Sequence, residues 1–118
     1  MEPLSFSLQA VVRPVVLEGP DGEKSDYEIR EMTAAVRDAY MDRLSKRFLL
    51  DTEGRPQGLK KFEGMQADLL SSCMYREEKL VSKEEIQKWP STAVSQLFLE
   101  AQRINHLNKE ENPEIKND

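Results

Sequence analysis

Hydrophobic positions recur along this chain with two different periods, and the change of period divides it. From Ser91 to Leu107 the apolar residues Val94, Leu97, Ala101 and Ile104 fall at three- and four-residue steps, one face of a helix. Trp89-Pro90-Ser91 opens that stripe. Proline lacks an N–H and has a fixed φ, so it suits the start of a helix, and the aromatic before it can anchor that start on a core. A second stripe over residues 30–48 takes Ile29, Met32, Val36, Ala39 and Tyr40, then drifts toward Leu44 and Phe48. Arg43 and Arg47 fall on the same face, where either their stems lie on the core with heads in water or their guanidinium groups meet acids. The first is the expected arrangement. A third stripe, residues 59–75, buries Phe62, Met65, Leu69 and Cys73. Ser82-Lys83-Glu84-Glu85 fits a capping box for a short helix ending before Pro90.

The N-terminal part reads differently. Leu4, Phe6 and Leu8 alternate with small or polar residues, and Val11-Val12 and Val15-Val16-Leu17 are rich in β-branched side chains. Pro14 makes this an edge strand or splits it. Gly19-Pro20-Asp21-Gly22 is a turn, and Tyr27 to Ile29 returns as a second strand. Residues 51–58, with Gly54, Pro56 and Gly58, form a loop. The expected fold is mainly α, three to four helices with a small N-terminal β-hairpin. It has one domain over 1–107 (hairpin 4–29, helices 30–107) and a flexible polar tail, 108–118.

Composition narrows the function. The 118 residues include 33% charged and 38% hydrophobic, a soluble globular mix, and one core fits this length. Net charge is −5, which argues against broad nucleic-acid binding through phosphate neutralisation. No window approaches eighteen uninterrupted apolar residues, and Met1 to Phe6 lack the basic start and apolar run of a secretory signal, so neither a membrane nor export is expected. Cys73 stands alone, which fits a cytosolic protein without disulfides.

Candidate chemistry is sparse, and no enzyme is expected. His106 points away from the face that buries Cys73, so the two cannot form a thiolate–imidazole pair. A single histidine and a single cysteine leave a zinc site short of ligands. Asp51 and Glu53 before Gly54 lack the remaining oxygen ligands of a calcium loop. No cofactor or metal is implied. The helical phases leave some apolar residues over. Met41 falls about 140° from Val36, Met74 about 180° from Met65, and Leu99 about 160° from Leu97. Isolated exposed apolar side chains are ordinary. The alternative is a partner surface, for which flexible methionines are well suited. Met41, Met74, Trp89 and Leu99 are the candidate partner-binding residues.

The chain resembles the tail assembly chaperones of long-tailed bacteriophages over nearly its whole length. The resemblance rests on Asp26-Tyr27-Glu28-Ile29-Arg30-Glu31-Met32, Arg37-Asp38-Ala39-Tyr40, and Leu44-Ser45-Lys46-Arg47. It continues in Phe62-Glu63-Gly64-Met65-Gln66-Ala67-Asp68-Leu69-Leu70 and in Ile86-Gln87-Lys88-Trp89-Pro90-Ser91 through Leu97-Phe98 and Ala101 to Leu107. It implies a non-enzymatic phage or prophage protein of the host bacterial cytoplasm. Such a protein escorts the tape-measure protein while tail-tube subunits assemble around it, with self-association as an option. Apolar-groove recognition of a long helix, with the −5 charge facing water, is the implied means. The competing reading is a small acidic helical adaptor or regulator unrelated to phage tails.

Overall fold

The computed structural model describes residues 2–59 and 63–107, and of residues 49, 50, 56 and 59 the backbone only. Phe62 and the tail 108–118 lie outside the described residues.

Alternation and a Gly-Pro-Asp-Gly turn produce the expected hairpin. Strands β1 (Val12–Glu18) and β2 (Lys24–Arg30) pair antiparallel from Val12↔Arg30 to Glu18↔Lys24. Gly22 supplies the positive φ of 84° that the turn needs, and its N–H donates to Gly19 O at 2.9 Å. The Glu31 N–H donates to Val11 O and the Gly19 N–H to Glu23 O, both at 2.8 Å. Odd-numbered residues therefore bond to β2, and even-numbered ones direct their backbone groups to the open edge. Pro14 is even-numbered. It costs no ladder bond, and it removes a donor from the edge where another chain could pair.

The fold is mixed α/β and not mainly α. Its main sheet has four antiparallel strands in the order β1-β2-β5-β6. The added half comes from a segment expected to be helical. Helix α2 (Met65–Cys73) stops short, and the chain turns extended at Met74, with φ −103° and ψ 131°. Strand β5 (Met74–Arg76) then pairs Met74 with Ile29 and Tyr75 with Glu28, and β6 (Lys79–Leu80) closes the sheet. The reversal between them places Glu77 and Glu78 at φ 51° and 68°, left-handed positions usually given to Asn or Gly. The expected loop 51–58 is also partly strand, since β3 (Phe48–Leu50) pairs with β4 (Pro56–Leu59).

Helix α1 (Ala34–Ser45) starts on Thr33, whose hydroxyl accepts from Val36 N–H. Its inner face is rotated from the expected one. Tyr40 is buried, Met41 and Leu44 pack partly on the core, and Val36 and Ala39 are exposed. Helix α3 (Lys83–Ile86) begins at Ser82, whose Oγ accepts from Glu85 N–H at 3.2 Å as the capping box predicts. Helix α4 (Ser91–Ile104) buries Val94, Leu97, Ala101 and Ile104 as expected, with Phe98 beside them. Both α2 and α4 pack on β2.

The core lies between these helices and one face of the sheet. Ile29, Leu69, Leu70, Cys73, Met74 and Ile86 are fully enclosed there. Each large aliphatic side chain so placed contributes about 1.5–3 kcal/mol relative to exposure. One buried polar side chain ties the layers together. Asn105, 5% exposed, accepts from Met32 N–H at 2.7 Å through Oδ1 and donates through Nδ2 to Ala101 O at 2.9 Å. It fastens the end of α4 to the β2–α1 junction. Among the described residues no helix is long and apolar enough to cross a membrane.

Candidate functional site

Three segments distant in sequence converge at the N-terminal end of α2. A charged cleft of about 770 Å³ opens there between α1, α2 and α3. Arg43, Lys46, Arg47 and Lys83 line it together with Glu63, Asp68 and Glu84. Arg43 is not a solvated head on an apolar stem. Its Nε donates to both Asp68 oxygens at 3.0 and 3.1 Å, and an Nη donates to Ser72 Oγ at 3.0 Å. Asp68 is 9% exposed, so this fork fixes α1 against α2 and compensates a nearly buried charge. Burial, then the Asp68 charge beside it, pushes the Tyr40 hydroxyl up to about 12, so it stays protonated. Arg47 donates to Glu63 O at 2.8 Å.

A smaller apolar groove of about 330 Å³ adjoins the cleft and shares Gly64 and Gln87 with it. Its walls are Met65, Gln66 and Ala67 from α2, Ile86 from α3, and Trp89, Ser91 and Val94 from the start of α4. Gly64 stands at φ +71° in the floor, and a Cβ there would meet Lys83 Cε at 2.8 Å. The positive φ is what calls for glycine, since the Lys83 side-chain end could swing aside. Trp89 closes one end. Its ring meets Tyr27 edge-to-face at 5.7 Å and 79°, so the groove wall is braced by the sheet. Burial raises the Tyr27 hydroxyl, with the Arg76 charge opposing and Glu85 adding to the rise.

Cleft and groove together form one trough, apolar along one side and charged along the other. Its lining suits a side-chain surface of the same division, such as an amphipathic helix. Within it Arg43 pairs with Asp68, and Lys46 at its rim reaches Asp42 outside the lining at 3.4 Å.

No family model, curated protein or solved structure matches the chain.

Of the four residues singled out from the sequence, Trp89 alone lines the trough. Met74 is 0% exposed, because the helix ends before it and β5 turns its side chain inward. Met41 packs partly on the core, since α1 is rotated from the assumed phase. Leu99 is 59% exposed on α4, away from the groove residues. Cys73 is buried, and desolvation pushes its thiol up to about 12, which leaves it un-ionised. His106 is exposed at the end of α4, at φ 54°. Among the described residues no three His, Cys, Asp or Glu side chains are grouped to hold a metal ion. Sequence reasoning missed Gly64, Met65, Ile86 and Val94 as one surface, because only the folded chain brings the three segments together. It also placed Leu4, Phe6 and Leu8 within a paired strand, whereas they are 85%, 81% and 101% exposed, ahead of β1.

Proposed function

We propose that this chain is a tail assembly chaperone of a long-tailed phage or prophage. It holds the tape-measure protein soluble in the host cytoplasm and helps bring tail-tube subunits to it. The observation that carries the reading is the place where the resembling blocks meet. Gly64 to Ala67 belong to one block and Ile86 to Ser91 to another, and both line the same apolar groove. A block resemblance spread over surfaces with no common feature would carry less weight. The groove takes the apolar face of a long helix, while the charged cleft beside it stays hydrated. Several copies along one long helical target would gain avidity from individually weak contacts.

The test is co-expression with a tape-measure protein of a long-tailed phage, measuring how much of that protein stays soluble. Met65→Glu places a charge in the groove at a half-exposed position and leaves the enclosed core untouched. It is expected to return most of the partner to the pellet while the variant itself stays folded by circular dichroism. A partner equally soluble with and without this chain would overturn the proposal. A partner kept soluble by both forms would remove the groove from the site.

A further inference from the structure

The segment ahead of β1 is unused by the trough. Residues 2–11 form no strand or helix, yet carry Leu4, Phe6 and Leu8 almost wholly in solvent. Val11, Val12 and Val16 follow at 51%, 45% and 58% exposure. Such a run of large apolar side chains on one small domain marks an interaction surface. Between residues 3 and 10, the described backbone hydrogen bonding comes to Gln9 N–H donating to Ser7 Oγ at 3.2 Å. The remaining backbone groups are open to another strand, and no charged residue lies between Glu2 and Arg13.

The order of residues indicates which strand. Leu4-Ser5-Phe6-Ser7-Leu8 reads the same in both directions. Antiparallel pairing about a two-fold axis at Phe6 sets Phe6 against Phe6 of a second copy, Leu4 against Leu8 and Ser5 against Ser7. Paired residues share a face, so every apolar side chain meets an apolar one and every hydroxyl meets a hydroxyl. A closed two-fold dimer requires such self-complementarity. The remaining edges of the sheet serve poorly, since β1 carries Pro14 at its open edge and β6 has two residues.

We propose that residues 3–9 are a dimerisation arm, which pairs antiparallel with the same arm of a second copy in a register centred on Phe6. The two hairpins then become parts of one sheet running through both copies. The proposal is independent of the tail-assembly reading.

Sedimentation velocity on the full chain across micromolar to submillimolar concentrations tests it, the dimer having twice the 13.6 kDa chain mass. Phe6→Lys and Phe6→Glu each set like charges opposite one another and are expected to weaken association at least about tenfold. An equimolar mixture of the two sets opposite charges at the axis and is expected to restore a mixed dimer. Because the arm packs on nothing in the described structure, both variants are expected to match the circular dichroism spectrum and melting temperature of the wild-type chain at concentrations where it is monomeric. Under oxidation, Phe6→Cys is expected to cross-link between copies well ahead of Ser5→Cys, whose opposite number is Ser7. Buried Cys73 stays outside that reaction. A wild-type chain that remains monomeric throughout, or a dimer indifferent to the Phe6 substitutions, would overturn the arm. Equal cross-linking at positions 5 and 6 would overturn the register.

Discussion

Asn105→Ala tests whether one buried amide holds the helical layer to the sheet. The side chain makes two bonds, from Met32 N–H at 2.7 Å and to Ala101 O at 2.9 Å. A typical intramolecular hydrogen bond contributes about 1 kcal/mol net, and an enclosed group left without a partner costs about 1–3 kcal/mol. Ala101 O also accepts Asn105 N–H at 3.1 Å, so the carbonyl keeps a partner after the substitution. Met32 N–H does not keep the one described for it. The expected loss is therefore about 2 kcal/mol, set mostly by Met32. With a urea slope of about 1.5 kcal/mol/M, the unfolding midpoint should fall by roughly 1.3 M, without a change of slope. Asn105→Asp separates the two bonds, because it keeps the acceptor for Met32 N–H and loses the donor. A carboxylate there sits on the negative end of α4 in little water, so its folded pKa is raised. The Asp variant should therefore be most stable below the ordinary carboxyl range and lose stability as pH rises through the raised value. An Asn105→Ala midpoint within about 0.3 M of wild type would refute the argument, since it would place that amide outside the cooperative unit.

Two further substitutions probe the sheet. Glu77→Asn with Glu78→Gly puts residues that tolerate positive φ where two glutamates now stand, relieving about 1–2 kcal/mol at each position. The double variant loses the Arg30–Glu78 pair, whose Glu78 side chain is 79% exposed, so solvent screening keeps that loss small. A net gain of at least about 1 kcal/mol is expected, or a rise of at least roughly 4 °C in calorimetry; an unchanged melting point would sink the strain argument. Glu100 bridges α4 to Arg13 of β1, and its bond from Arg103, opposed by partial burial and helped by Arg13, holds its carboxyl below the usual 4.5. That contribution is present above the ordinary value and lost as pH falls through the depressed one. Glu100→Gln should therefore be less stable than wild type at neutral pH, by under about 1 kcal/mol, and level with it in strong acid. A gap that persists in thermal melts at low pH would contradict this.

The legible parts of the fold were those where a local signal agreed with the packing. Alternation, a Gly-Pro-Asp-Gly turn and Tyr27/Ile29 gave the hairpin; Pro90 and a four-residue apolar stripe gave α4. Strands β5 and β6 escaped because three and two residues carry no period, and the Glu77-Glu78 turn lacks a turn-forming pair. Helix α1 was recognisable as a helix, but its phase was not, because Arg43 is held against α2 by its pairing with Asp68 rather than by hydrophobicity. For the candidate site, Trp89 could be named from its size and place. The groove it closes could not, since no sequence window contains Met65 and Val94 together.

The edge-to-face contact of Trp89 with Tyr27 joins sheet, groove and α4 at one ring pair. Trp89 is also the chain's single indole. Its emission therefore comes from one address, where loss of the hairpin, departure of α4 and arrival of a guest all alter the fluorophore's surroundings. The molecule carries its own optical probe.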